Sequence, residues 1–344
     1  MSGAQHLLME NLPDPASAPT DPRIRTPLRS FDTVQAWQAS FWNVVRIDYV
    51  VSYVERGHPR LSTDDQRLWQ AAGLPLRDMN GVRLPESLCV NKDSSFSPRM
   101  VPMSETAACR TLLWIVLKAL SFAAEQRDQS RTMEFMPHTE ASATAKKQQP
   151  LNDTKSWQAI RDHLQAWNAS LPDSFEPYLR LAQHRPTQVQ TPNRSDVSTA
   201  AGDGNAIAIQ FPTLQYSSAM ASTAMVLYHF IQIFLLLHRP LSPSNQDTFS
   251  RFASQRLSAY RQVAREVDDH ANRICGICLG RPDDAVRMHM VQPLHLAGLG
   301  LESHDQRVVL EGLLSGIRKG TGCSTEWIVT SLREEWGWKE VVPY

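Results

Sequence analysis

The sequence predicts an all-α protein, and three observations carry that expectation. Apolar residues recur at alternating spacings of three and four along six or more stretches, the signature of one buried helical face. Those stretches end at Gly or Pro, or open on Ser, Thr or Asp, as helix boundaries do. The alternating pattern of a strand competes only around Asn80-Gly81, where a short hairpin is expected. A chain of 344 residues, 42% hydrophobic and 20% charged, has ample apolar surface for a large core, and its 22 prolines against 15 glycines point to Pro-rich connections.

Residues 1–30 hold five prolines together with Arg23, Arg25 and Arg29, and read as a flexible, mildly basic arm. Asp32 with Gln35 then makes a capping-box-like helix start. Val34, Trp37, Phe41, Val44, Val51 and Val54 form the apolar stripe, and Gly57-His58-Pro59 ends the helix. Ser104 and Glu105 open a second helix, with Ala108, Leu112, Ile115, Val116, Ala119 and Ala123 as its buried face to about Arg127. The polar stretch 128–153 is expected to be a mobile loop, too poor in branched apolar residues to offset its ordering entropy. Trp157, Ile160, Leu164, Trp167 and Leu171 then define the clearest amphipathic helix, stopped by Pro172. A second mobile, Pro-rich loop is expected near 183–205.

Ala219–Leu237 is the longest apolar run. Its length suits a membrane span, yet Ser222, Thr223, Tyr228, His229 and Gln232 interrupt it and no basic residues flank its start, so a buried core helix is expected. The next helix runs from Thr248 to about Leu279 with Tyr260, Val263, Val267, Ala271, Ile274, Cys275 and Cys278 on one face, ended by Gly280. Asp283 caps a helix that Pro293 interrupts. Ser303 with Gln306 opens one bearing Val309, Leu313 and Ile317, and Ser324 begins a last one bearing Trp327, Ile328, Leu332 and Trp336.

Thirty-five Lys plus Arg balance thirty-five Asp plus Glu, which excludes binding to nucleic acid or anionic membrane by net charge alone. Five scattered cysteines suit a reducing compartment, and the N-terminus has no signal-peptide pattern. Cys275-Gly276-Ile277-Cys278 is half of a zinc or redox motif. Because it falls on an apolar stripe with no second close pair, core packing is the expectation. His289 and His295, six apart around Pro293, match no helical metal pair. The glycine-rich run Gly316 to Gly322 lacks a P-loop ending and reads as a helix C-cap. No Gly-x-Ser-x-Gly nucleophile motif is present. Tyr228, His229 and Gln232 are the candidate lining of an internal effector pocket, and no catalytic, cofactor-binding or metal residue is assigned.

Several landmarks then fall in one order: Trp157-x9-Trp167-x3-Leu171-Pro172 with Phe175 and Pro177, Phe211-Pro212, Leu235-Leu236-Leu237-His238-Arg239-Pro240, Ile274-Cys275-Gly276-Ile277, Gln292 to Gly298, Thr321 to Thr325, and Trp336-Gly337-Trp338. In that order they resemble the regulatory (middle homology) domain of fungal zinc-binuclear-cluster transcription factors, over about residues 31–338. The resemblance implies one all-helical regulatory domain over 31–344. It also implies a nuclear regulator of transcription, often of metabolic or secondary-metabolite genes, and no enzyme activity. Members usually begin with six closely spaced cysteines holding two zinc ions, whereas the first cysteine here is Cys89, so no zinc cofactor is expected in this sequence. Direct specific DNA binding is therefore not expected of the chain, which either derives from a truncated gene model or works through partners. The expected partners are other transcription regulators or coactivators, a zinc-cluster protein among them, a small-molecule effector, and a second copy or related chain in a homo- or heterodimer, with no membrane. Two other readings stand beside this one: an enzyme of unrecognised class built on a buried histidine, and a helical interaction scaffold.

Overall fold

A computed structural model describes residues 27–79, 82–89, 103–135, 140–181, 211–240, 249–280 and 282–338. The fold is all-α, with two small antiparallel hairpins. The described residues divide into two compact units, one within Met1–Phe175 and Phe234–Ala259, the other within Glu176–Ile233 and Tyr260–Tyr344, where the sequence reading expects a single domain over 31–344.

In the first unit, α1 (Pro27–Glu55), α2 (Gln66–Ala71), α3 (Glu105–Phe135) and α4 (Glu140–Ala169) bury a tryptophan-rich core. Helix α1 starts at Pro27, so residues 27–30 of the expected arm are helical and Asp32 lies inside the helix instead of capping it. Proline is well tolerated in a first helical turn because the N–H it lacks would have no partner there. The buried stripe of α1 is Phe41, Trp42, Val45, Asp48, Tyr49 and Ser52, while Val54 of the expected stripe is exposed. Phe41 meets Trp37 and Trp69 at 5.4 and 5.3 Å between ring centroids. Trp42 and Gln38 donate to the carbonyls of Ala72 and Ala71, closing the C-terminus of α2, whose last C=O groups have no partner within the helix. Asp48, 4% exposed, accepts from the amides of Arg60 and Leu61 at 2.9 and 3.0 Å and so fixes the chain after α1.

Ser104 caps α3 through the amide of Ala107, as its position in the sequence suggests. All six residues of the expected α3 stripe are buried. The loop expected at 128–153 is largely helix: α3 continues to Phe135 and α4 begins at Glu140. Each of these polar stretches extends a helix whose apolar half is anchored in the core, and propagation costs far less than nucleation. Trp157 and Trp167 are buried as expected, their indole N–H groups donating to Leu235 and Ala108 carbonyls, both at 2.8 Å. The hairpin expected at Asn80-Gly81 is present as β1 (Leu76–Met79) and β2 (Val82–Pro85), with Met79 opposite Val82; the two turn residues lie outside the described residues, as does the loop expected at 183–205.

The second unit holds β3 (Leu179–Leu181) paired with β4 (Thr213–Gln215), neither of which the sequence announces. It also holds most of α5 (Ala219–Leu237) and of α6 (Phe249–Leu279), then α7 (Asp284–Arg287), α8 (Val291–Gly300), α9 (His304–Thr321) and α10 (Glu326–Glu335). Helix α5 is long and apolar enough to cross a membrane, as is Glu105–Thr132 of α3, but 72% of each apolar window is buried inside the protein. On α6 the buried face begins at Val267, and Tyr260 is 68% exposed. On α9 the buried stripe is Leu310, Leu314 and Ile317, one residue on from two of the expected positions. Gln306 does not close a capping box with Ser303; its amide donates to Asn272. Pro293 sits in the first turn of α8 and interrupts nothing. The last helix starts after Thr325, which donates to the Leu314 carbonyl, and Trp327 points outward at 43% exposure. Gly322, at φ 74°, caps α9 through the Arg318 carbonyl, as the glycine-rich run suggests.

Candidate functional site

Helix α5 carries the three residues singled out from the sequence, and their places on it differ. Tyr228 and Gln232 are one turn apart and half-buried, with the Gln232 amide donating to the Tyr228 hydroxyl at 3.0 Å. His229 is 2% exposed and meets His270 of α6, the two Nδ1 atoms lying 2.9 Å apart. One Nδ1 of that pair must carry the proton and the other the lone pair, so the two rings hold opposite tautomers. The Tyr228 ring stands edge-on to both imidazoles.

Burial pushes the His229 imidazole well below its usual range and, with the nearby Arg273 charge, takes His270 down to about 4. The pair is therefore neutral near pH 7. The pair links α5 to α6.

Seven residues from His229 towards the start of α5 is Ser222, and seven from His270 towards the end of α6 is Ile277. Both spacings keep a residue on the same helical stripe, two turns along. Those two residues line a cavity of about 410 Å³. Leu214, Tyr216, Ser218 at the start of α5, and the exposed Asp283 also line it. Ser218 caps α5 through the Ala221 amide at 3.1 Å, and Ser222 donates to the Ser218 carbonyl. Tyr178 lines the rim and donates to the Gln215 side chain at 2.8 Å. Burial takes the Tyr216 phenol up to about 12, so it remains a neutral donor. The candidate triad of Tyr228, His229 and Gln232 does not line this cavity.

Two glycines let the Pro212–Leu214 backbone come close, and one of them, Gly280, lines the cavity. A Cβ at Gly276 would stand 2.0 Å from the Pro212 carbonyl oxygen, and one at Gly280 would stand 2.1 Å from that of Leu214. Gly276 on α6 and Gly280 just past its end, one turn apart, leave room for the Pro212 and Leu214 carbonyls. The flanking thiols pack into the core. Cys275 is fully buried and Cys278 is 3% exposed, and burial raises both, Cys278 to about 12. A thiol held in its neutral form is a poor metal ligand. The five cysteines are free, and no group of three or more metal-ligating side chains occurs among the described residues. The residues present thus do not fit a binuclear zinc cluster. His295 packs against Trp327 at 5.7 Å.

The sequence reading missed Asp283 as a site residue, taking it only as a cap. It occupies the N-cap position of α7 but its side chain makes no capping bond. The run Tyr216-Ser217-Ser218 before an apolar helix was readable as a helix start. That it lines a cavity depends on β4 and α6, which no local pattern brings together.

No protein-family profile matches the chain. No solved structure matches it either. It is similar to the transcription activator AMTR1 of Alternaria alternata, 29% identical over 334 residues, which cover 96% of this chain and 39% of that protein. The chain thus spans about two fifths of the length of its fungal relative.

Proposed function

We propose that this chain is the regulatory region of a fungal transcription regulator of the zinc-cluster type. The carrying observation is the likeness to a fungal transcription activator along 96% of the chain. The all-helical architecture and the ordered landmarks from Trp157 to Trp338 agree with it. On this reading the protein acts in the nucleus, on a metabolic or secondary-metabolite gene set, by binding an effector or a protein partner. It performs no catalysis and acts together with other transcription regulators, a zinc-cluster protein among them.

The test is a tethering assay. The full chain is fused to a heterologous DNA-binding domain and the transcript of a reporter carrying that domain's site is measured in a fungal host. A severalfold change relative to the DNA-binding domain alone is expected. Unchanged transcript at equal protein level, with the fusion in the nucleus, overturns the reading.

A further inference from the structure

The apolar stripe of α6 extends beyond the part of it that the core covers. The buried face begins at Val267, yet the stripe continues towards the start of the helix through Ala264, Val263 and Tyr260 to Leu257, at spacings of three and four that keep one face. From Leu257 to Arg265 every residue is exposed except the half-buried Val263, so about two and a half turns of helix are open to solvent on every face. Leu257 is 51% and Tyr260 68% exposed. A stretch this short does not hold a helix by itself in water, so its order comes from the half of α6 anchored in the core, Val267 onward. An apolar face already held as a helix loses little further entropy when a partner covers it.

The same stretch is basic. From Phe249 to Arg265 the sequence holds four arginines and no acidic residue. Arg261 and Arg265, one turn apart, border the apolar stripe on one side. Arg265 donates to the Arg261 carbonyl at 3.2 Å, and Glu266, the first acid to follow, accepts from the Gln262 amide at 2.9 Å. Neither arginine has an ion-pair partner among the described residues.

These two features select the partner. Leu257, Tyr260 and Ala264 stand at i, i+3 and i+7, the anchor positions of an amphipathic helix laid in an apolar groove. Arginines at the edge of such a helix call for carboxylates on the groove's rim, whereas a second copy would set the four arginines against four more. A leucine, a tyrosine, a valine and an alanine make a small apolar face for insertion into a bilayer.

We propose that the exposed half of α6 docks, as a helix, into an apolar groove rimmed by carboxylates on a partner protein. This surface goes beyond the regulatory reading and does not depend on it.

The probe is calmodulin, an acidic protein that opens an apolar groove for amphipathic helices when loaded with calcium. Calorimetry with the purified full chain is expected to show a one-to-one complex, lost when calcium is chelated and weakened severalfold as salt rises from about 0.05 to 0.5 M. Leu257→Gln combined with Tyr260→Gln removes the anchors while keeping a good helix former, and should weaken binding at least tenfold. Arg261→Gln combined with Arg265→Gln should weaken it severalfold and flatten the salt dependence. Val308→Gln, at an exposed apolar position of α9, should bind as the parent does, and unchanged circular dichroism shows that each variant is folded. Absence of binding, or undiminished binding by either double variant, overturns the proposal. Vesicles of phosphatidylcholine and phosphatidylserine, and sedimentation of the chain alone, test the other occupants. Vesicle binding or self-association that Leu257→Gln with Tyr260→Gln abolishes would assign the surface to a bilayer or to a second copy and overturn it as well.

Discussion

Gly276 shows how much one side chain can decide here, because its missing Cβ lets the Pro212 carbonyl approach α6. Gly276→Ala forces those backbones apart and is expected to cost about 1–3 kcal/mol, read as a lower denaturant midpoint at unchanged slope. A midpoint equal to the parent's would show that the close approach is not maintained. Trp167 is fully buried and bonded to Ala108, so Trp167→Ala should cost about 3–5 kcal/mol by leaving a cavity. The buried imidazoles set a pH dependence. His270 and His163 are both lowered to about 4 and His229 is also lowered, while in the unfolded chain each titrates near 6.5. Below pH 6.5 the unfolded state therefore takes up protons that the folded state refuses. Stability is fully present above that pH and falls as the pH drops towards 4, by up to about 1.4 kcal/mol per pH unit for each histidine. Melting curves from pH 7.5 to 4 should show this slope, and His270→Gln should flatten it. At this scale the sequence was legible where a residue's role follows from helical spacing, as for Trp157 and Trp167. It was not legible where the partner is distant in the chain. The capture of the Arg60 and Leu61 amides by Asp48, the pairing of His229 with His270, and the cavity-facing carboxylate of Asp283 all belong to that second kind.

Helix α4 is the element on which sequence and structure differ most. Its first half is polar and contains Pro150, which removes one N–H from the helical ladder and makes the stretch read as a loop. The structure continues the helix through it, because the second half is anchored by Trp157, Ile160, Leu164 and Trp167. The two assignments predict opposite outcomes for Pro150→Ala. In a loop, losing proline loosens the unfolded chain's restraint and lowers stability by about 0.4–1 kcal/mol. In a helix interior, restoring the N–H raises stability, by up to about 3 kcal/mol. We expect the increase, together with a gain in helical circular dichroism, and a lower midpoint would return the segment to a loop. Other elements were misread by smaller steps. The stripes of α1 and α9 are displaced by one position at several residues, because amphipathic periodicity leaves the direction of the apolar face uncertain by about one residue's rotation. The strands β3 and β4, three residues each, are too short to carry an alternating pattern, and they pair across about thirty intervening residues of sequence.

At the scale of the whole molecule, the all-α class was legible because it needs only periodicity and helix boundaries. The division into two units was not, since each takes separate stretches of the chain and only tertiary contacts reveal how they group. Charge is also a whole-molecule property, and it leads to the last prediction. Most non-specific affinity for DNA comes from clustered Lys and Arg on phosphates. Here thirty-five basic residues balance thirty-five acidic ones, and the densest basic stretch is Arg23, Arg25 and Arg29. Three such contacts give a salt slope of only about 0.9 per contact and an affinity that fades at physiological ionic strength. Specific readout further requires a helix or ribbon whose side chains reach base edges, and the apolar faces of α3, α4 and α5 are instead buried within the protein. Purified chain at physiological salt should therefore give no sequence-selective shift of promoter DNA in a gel assay with competitor. Addition of a zinc-cluster partner should bring the chain into a supershifted complex. Nanomolar, competitor-resistant binding by the chain alone would mean that it carries a DNA-reading surface of its own, and the dependence on a partner would fall.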